Sequence, residues 1–181
     1  APSVADESAA STLATRKELR VLLYTAANPT TLDILGLGSD LLLQTRDHGA
    51  IERGELRVVT ERRPTLEELT DLLFAWRVVR HVRSNAIVLA RNAATLGIGA
   101  GQVNRRVAVE IALQRAGDRA RGAVLASDAY FPFAEGISAA ATAGITAVVQ
   151  PGGSRRDAAA IEIANRNGMA MVFTGRRHYR R

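Results

Sequence analysis

The chain has 181 residues, a formal net charge of +6 and no cysteine. This length suits one domain with a well-buried core, with or without a small appendage. The lack of cysteine excludes disulfides and thiolate metal sites. No apolar stretch is long enough to cross a bilayer, and residues 1–7 lack a signal-peptide pattern. We therefore expect a cytoplasmic protein that does not associate with membranes.

The positive charge is almost entirely arginine, since Lys17 is the only lysine. A basic chain favours an anionic partner such as a nucleotide or a nucleic acid, and arginine is the better fork for phosphates. A bias in base composition accounts for most of this preference, so only the positions of individual arginines are informative.

The first third of the chain mixes helical and strand-like segments. Residues 5–17 predict a helix, Leu19–Thr25 a buried strand, and residues 26–39 an irregular segment. Asp40–Arg46 and Leu56–Thr60 predict strands on either side of a polar turn. Thr65 and Glu68 have the spacing of a capping box, which predicts a helix that runs to about His81.

From residue 84 onward, strands alternate with helices. The predicted strands are Asn85–Arg91, Thr95–Ile98, Gly122–Ser127, Ile145–Gln150 and Met169–Thr174, and the predicted helices are 103–116, 133–143 and 156–167. This alternation predicts an α/β fold, a three-layer α/β/α sandwich. Ligands of such sheets bind at the carboxyl ends of strands, so the loops at 97–105, 127–135 and 150–155 are the first candidates for a site.

The glycine run 97–101 precedes the helix that contains Arg105 and Arg106. Its spacing fits neither a dinucleotide fingerprint nor a P-loop. Two interpretations remain open: a tight strand-to-helix connection, or a backbone cradle for an anion. Arginines in the first turn oppose the helix dipole, which favours an anion between them.

Two further segments have a structural and a binding interpretation. The aromatic residues of the segment 127–133 either stack on a flat heterocycle or close the end of the sheet. The segment 151–155 offers backbone donors and a hydroxyl, or is a simple helix cap.

The histidines, at 48, 81 and 178, have no metal-ligand spacing. The basic tail 176–181 is predicted to be solvated, or to deliver one arginine to an acidic ligand.

Several motifs in one order resemble the C-terminal part of the bifunctional purine biosynthesis proteins, which join an AICAR formyltransferase to an IMP cyclohydrolase. The resemblance covers essentially the whole chain, residues 1–181. It is carried by Ala1–Val4, Pro64-Thr65, Asp71–Trp76, Ser84–Val88, Gly97–Gln102 with Arg105, Ser127–Phe133, Ala147–Ser154 and Gly168–Gly175.

This resemblance implies a cytidine-deaminase-like α/β/α fold without zinc. It implies transfer of a formyl group from 10-formyltetrahydrofolate to the amine of AICAR, an aminoimidazole carboxamide ribonucleotide. Asn85 and Arg105 match AICAR-binding positions, with Asn85 also supporting catalysis and Arg105 on the phosphate. The positions that match the folate side are Arg106, Tyr130, Glu135, Ser154, Arg155 and Arg177. Val79, Ser84 and Asp128 match the surroundings of a monovalent cation such as potassium.

The chain departs from the family in four respects. Tyr130 stands where the family usually has Phe, and Ala134-Glu135 where it usually has Arg-Asp. The catalytic Lys-His pair of the upstream half does not occur in the sequence. The cyclohydrolase domain and the upstream transformylase half are absent, so the resemblance implies a fragment that is inactive alone and that belongs to a homodimeric parent.

Two other classes of function remain open from sequence. The charge suggests a basic nucleic-acid-binding module, although the arginines form no single stripe and the aromatic residues are not spaced along strands. The other alternative is a non-catalytic domain that only dimerises.

Overall fold

The computed structural model describes residues 7–21, 32–47, 49 and 51–180. The chain divides into two compact units, residues 1–46 and residues 47–181, and each is described by itself. Among the described residues, no helix is long and apolar enough to cross a membrane.

The first unit contains a short helix and a β-hairpin. Helix α1 spans Glu7–Ala14, and strands β1 (Leu32–Leu37) and β2 (Asp40–Thr45) pair antiparallel. The prediction of an irregular segment over 26–39 was therefore wrong for β1. Its six residues alternate poorly and contain a glycine, and the pairing with β2 is what makes them a strand.

The first residues of the predicted strand Leu19–Thr25 do not form a strand. Residues 19–21 form no strand, and the side chains of Leu19 and Val21 are exposed. The remainder of that predicted strand, 22–25, lies outside the described residues.

The second unit is built on a mixed sheet of six strands in the order β3-β8-β7-β6-β4-β5. The strands are β3 (Arg57–Val58), β4 (Ile87–Arg91), β5 (Ala94–Gly99), β6 (Val124–Ser127), β7 (Ala147–Gln150) and β8 (Ala170–Phe173). Strands β6, β7 and β8 are parallel, and β4 is antiparallel to both β5 and β6. The carboxyl ends of β5 to β8 and the beginning of β4 therefore lie at one edge, which we call the carboxyl edge.

Helices cover both faces of this sheet: α2 (Leu66–Val79), α3 (Arg105–Ala116), α4 (Glu135–Thr142) and α5 (Asp157–Arg166). Successive strand residues point to opposite faces, so Val88, Ala126 and Val149 pack with α2. Leu89, Leu125 and Val148 pack with the other three helices. The structure thus confirms an α/β fold with helices on both faces of a mixed sheet.

The beginning of α2 confirms the predicted capping box. The hydroxyl of Thr65 accepts the N–H of Glu68 at 3.1 Å, and the Glu68 carboxylate accepts the N–H of Thr65 at 2.8 Å. Both terminal nitrogens of Arg62, Nη1 and Nη2, donate to the same carboxylate at 2.9 Å. The guanidinium also donates to the carbonyl oxygens of Thr146 and Gly168. Burial alone raises the pKa of Glu68, but these hydrogen bonds and the Arg62 charge outweigh it and leave that pKa below its ordinary value.

Two glycines of β5 let the strand lie directly against α3. A Cβ atom on Gly97 would fall 2.0 Å from the carbonyl oxygen of Ala112, and one on Gly99 would fall 2.0 Å from that of Ala108. Any side chain at either position would therefore push the helix away from the sheet. This close approach favours the packing interpretation of these two glycines over an anion cradle.

Candidate active site

The first turn of α3 carries an arginine into the carboxyl edge. The side chain of Arg105 is 6% exposed. Its Nη1 donates to the hydroxyl of Ser127 at 2.8 Å and to the carboxylate of Asp128, and its Nη2 donates to the side-chain oxygen of Asn85 at 2.8 Å. The sequence predicted an anion between Arg105 and Arg106. In the structure the anion that Arg105 contacts is the carboxylate of Asp128, a residue of the chain itself. We call Ser84, Asn85, Arg105, Ser127 and Asp128 the edge cluster.

Asp128 is the centre of the edge cluster. Its side chain is 1% exposed, and its carboxylate accepts the N–H of Ala86 at 3.0 Å, the hydroxyl of Ser84 and the Arg105 guanidinium. A buried carboxylate is tolerated because a cation and two further donors compensate for its lost hydration. The ion pair between Arg105 and Asp128 therefore fixes the position of the Arg105 guanidinium.

Asn85 is held from both sides of its amide group. Its Nδ2 donates to the carbonyl oxygen of Gln102 at 2.6 Å, which leaves Oδ1 as the acceptor for Arg105. The backbones of Asn85 and Gln102 also exchange hydrogen bonds, at 3.1 and 3.4 Å. The loop after β5 and the beginning of β4 are thus tied together around this amide.

An open pocket of about 200 Å³ adjoins the edge cluster. Arg105 borders both, and the remaining lining comes from the loop after β6 and the beginnings of α3 and α4: Asn104, Arg106, Phe131, Pro132, Phe133, Glu135 and Gly136. We call it the aromatic pocket. Phe131 is 1% exposed and closes its base, whereas Phe133 is 52% exposed and forms its rim under the Arg156 guanidinium, 4.6 Å from the ring centroid. Phe131 thus closes the end of the sheet, whereas stacking of Phe133 on a flat heterocycle stays a prediction.

The predicted folate-side residues all lie on loops or helix ends of the carboxyl edge. Arg106 and Glu135 line the aromatic pocket together, and Arg106 is paired with Glu110 at 2.8 Å. The other members do not line that pocket: Tyr130, Ser154, Arg155 and Arg177. Tyr130 is 40% exposed, and Ser154 accepts the N–H of Arg156 at 3.1 Å. Their roles in binding folate stay predictions.

Two of the three predicted cation positions, Ser84 and Asp128, are members of the edge cluster, but the oxygens of all three already have partners. The carbonyl oxygen of Val79 accepts the N–H of Val82 at 3.0 Å, and the Ser84 hydroxyl donates to Asp128. Potassium binding stays a prediction. Across the described part of the chain, no group of three or more His, Cys, Asp or Glu side chains could hold a metal ion.

A buried histidine in the tail was not predicted, yet His178 is 2% exposed. Its imidazole lies beside the indole of Trp76, with ring centroids 4.3 Å apart, and Nδ1 is bonded to the Asp47 carboxylate. Burial lowers the pKa of His178 below its ordinary value despite the opposing effect of Asp47. The expectation of a solvated tail is wrong at His178, and the only available signal was its aromatic character beside exposed arginines.

The chain matches a family model over more than half of its length. Residues 1–115 match the model of the family described as AICARFT/IMPCHase bienzyme. The chain belongs to this family.

Curated relatives of this family share about half of the aligned residues. The bifunctional purine biosynthesis protein PurH of Anoxybacillus flavithermus is 58% identical over 81% of this chain and 29% of its own length. Those of Caldicellulosiruptor saccharolyticus and Caldicellulosiruptor bescii are 50% and 52% identical over 97% of this chain and 34% of their own lengths. The chain therefore spans about a third of the length of the relatives it matches.

A comparison with solved structures adds nothing on the fold. The match to Acinetobacter baumannii RibD, form 2, covers 56% of this chain and 32% of the RibD chain. The two are 17% identical, with a TM-score of 0.38. A likeness this weak does not identify a shared fold.

Proposed function

We propose that the carboxyl edge forms part of an AICAR formyltransferase site, with the ribonucleotide at the edge cluster and the folate in the aromatic pocket. The observation that carries the proposal is the contact between Arg105 and Asn85, which joins two elements far apart in sequence next to an aromatic pocket. Family membership gives this arrangement its chemistry, since the relatives carry the name of bifunctional purine biosynthesis proteins.

The reaction requires an oriented amine and a polarised formyl group. The amine nitrogen of AICAR attacks the formyl carbon, and the carbonyl electron pair moves to oxygen. The tetrahedral adduct then expels the folate nitrogen, which takes up a proton while the amine loses one to a base. An aromatic amine is a poor nucleophile, so holding both reactants in place and removing that proton both contribute to the rate.

The residues of this chain are suited to binding and orientation. The Arg105 guanidinium and the Asn85 amide form a fixed polar wall, and the exposed ring of Phe133 with Arg106 offers a surface for a flat heterocycle and its carboxylates. The sequence contains no Lys-His dipeptide. The proposal therefore assigns the base to polypeptide outside residues 1–181, and turnover to the longer protein.

Four finer points belong to the same proposal. They are a cytidine-deaminase-like arrangement that works without zinc, residues 1–181 as the C-terminal portion of the transformylase domain, potassium near Val79, Ser84 and Asp128, and a homodimeric parent. The hydrogen bond between Ser84 and Asp128 brings two of the three cation positions together, which supports a common site for them.

The experiment is a calorimetric titration of AICAR into the chain and into two matched variants. Arg105→Lys keeps the positive charge that Asp128 requires but loses the fork that reaches Asn85 and Ser127 together. We expect it to weaken binding about tenfold or more, because hydrogen bonds to a charged group are lost. Arg115→Lys, at an exposed position in the last turn of the same helix, is the control and should bind like the unsubstituted chain.

Two results would contradict the proposal. One is no binding of AICAR to the unsubstituted chain at millimolar concentration, and the other is equal binding by the Arg105→Lys and Arg115→Lys variants. Salt-sensitive binding of random oligonucleotides that is tighter than that of AICAR would instead favour the nucleic-acid alternative.

A further inference from the structure

The end of the chain crosses the carboxyl edge as an ordered segment. Residues 174–180 follow β8, and we call them the C-terminal strap. Thr174 and Gly175 donate their N–H groups to the carbonyl oxygens of Gln150 and Pro151, at 3.0 and 3.1 Å. The strap then passes from the loop after β7 to the loop after β6.

The strap contacts the edge cluster at two of its members. The backbone N–H of His178 donates to the carbonyl oxygen of Asp128 at 2.8 Å. The N–H of Ser84 donates to the carbonyl oxygen of Arg180 at 2.9 Å, and the Arg180 guanidinium donates to the carbonyl oxygen of His81 at 2.9 Å. Asp128 and Ser84 are bonded to each other, and Asp128 also bonds Arg105, so the strap braces the residues that orient the guanidinium.

His178 is the side chain that anchors the strap. It is the member of the strap buried most deeply against another element, between the indole of Trp76 on α2 and the carboxylate of Asp47. Its neighbours Arg177 and Tyr179 are exposed. Loss of the imidazole would therefore release the strap where it holds the Asp128 backbone.

We propose that His178 is a positioning residue for the nucleotide side of the site: it anchors the C-terminal strap, which holds Asp128 and Ser84 so that Arg105 reaches Asn85. The link from this role to AICAR rests on the proposed function. The ordering of the Arg105 side chain by the strap does not depend on the proposed function, and it is tested without a ligand.

The first measurement is a proton–nitrogen NMR spectrum of the chain with labelled arginine. An ordered, hydrogen-bonded guanidinium gives slowly exchanging signals, and those of Arg105 are assigned with Arg105→Lys. We expect His178→Ala to abolish the Arg105 signals. The Arg62 guanidinium, which is bonded to Glu68 far from the strap, serves as a reference in the same spectrum and should keep its signals.

Two variants control the substitution. His81→Ala removes the imidazole of an exposed histidine and should leave the Arg105 signals unchanged. His178→Asn retains an N–H group close to the position of Nδ1, so it can still donate to Asp47 and should restore part of the signal. It is also the variant to measure if His178→Ala does not fold.

Arg105 signals that persist in a folded His178 variant at their original strength would overturn the proposal. Loss of the Arg62 and Arg105 signals together would also overturn it, because it would show general loosening. Loss of the Arg105 signals alone supports it.

The second measurement is the affinity for AICAR. If the unsubstituted chain binds, His178→Ala should weaken binding about tenfold, the effect of losing hydrogen bonds to a charged group, and His178→Asn should weaken it less. Equal affinities for the chain and His178→Ala would overturn the link between the strap and the nucleotide while the proposed function stands. No binding by the unsubstituted chain would remove the proposed function, and the spectrum alone would then decide the role of His178.

Discussion

Arg105 and Arg106 are consecutive in sequence and lie in opposite environments. The Arg105 side chain is 6% exposed and is paired with Asp128 in another loop, whereas that of Arg106 is 62% exposed and is paired with Glu110 one turn along the same helix. Because successive helix residues point about 100° apart, one arginine enters the sheet edge and the other faces the aromatic pocket. Residue type and spacing therefore do not reveal which of two neighbouring arginines is buried and held in one position.

The two ion pairs also differ in what their loss costs. An exposed pair contributes little, because water solvates both partners and ions screen them. A buried pair is not strongly stabilising as a whole, but removal of one partner leaves an uncompensated charge. Stability measurements can therefore separate the two arginines without a ligand.

The largest effect is expected for Arg105→Ala. It leaves the carboxylate of Asp128 buried without its cation and should lower the free energy of unfolding by about 3–5 kcal/mol. Arg106→Ala is the matched control and should lower it by less than about 1 kcal/mol. Urea unfolding measures both, and equal losses would erase the distinction between the two environments.

A smaller effect is expected where the backbone of β5 supports α3. Gly99→Ala places a Cβ atom 2.0 Å from the carbonyl oxygen of Ala108, so α3 must move, at a cost of about 1–3 kcal/mol. That movement should disturb the Arg105 contacts more than those of Arg106. Gly54→Ala is the control, since nothing lies within 4 Å of its Cβ position, and should change stability by less than about 0.5 kcal/mol. A neutral Gly99→Ala would show that the strand and helix are not in close contact.

The smallest effect is expected for the partly exposed Arg62–Glu68 pair, which lies between the two extremes. The pKa of Glu68 is lowered in the folded chain, so its ionised form adds stability at neutral pH, and that contribution disappears as the pH falls through its folded value. Glu68→Gln should cost about 1 kcal/mol at pH 7. Its deficit should shrink as the pH falls below about 4.

Glu67→Gln is the control for that titration, because Glu67 lies in the same first turn and is exposed. It should show a smaller deficit at pH 7. A deficit of Glu68→Gln that stays constant from pH 7 to the acid limit of folding would mean that the charge of Glu68 contributes nothing.

Local patterns predicted much of the second unit. The capping box of Thr65 and Glu68, the strands at 87–91 and 124–127 and the glycine that ends α5 depend on nearby residues, and the structure has them close to where they were expected. Strand β1 was missed because its pairing with β2 outweighs its own weak strand pattern. Strand β3 was predicted longer than it is, since it pairs with β8 over two residues only.

The candidate site could be predicted as a set of loops but not as a set of contacts. The carboxyl ends of strands placed the loops 97–105, 127–135 and 150–155 at one edge, and the strand order agrees. The pairing of Arg105 with Asp128 joins residues 23 positions apart, and that of His178 with Asp47 joins residues 131 positions apart. No local pattern encodes contacts of this kind.

The sequence by itself determined the family, the alternation of strands and helices, and the candidate arginines and aromatic residues, because these follow from residue type and spacing. The tertiary structure decided that Arg105 is buried with a counter-ion, that Gly97 and Gly99 serve helix packing, and that the tail is a strap anchored by His178. The reason is that burial and pairing depend on which elements the fold brings together, and those lie far apart along the chain.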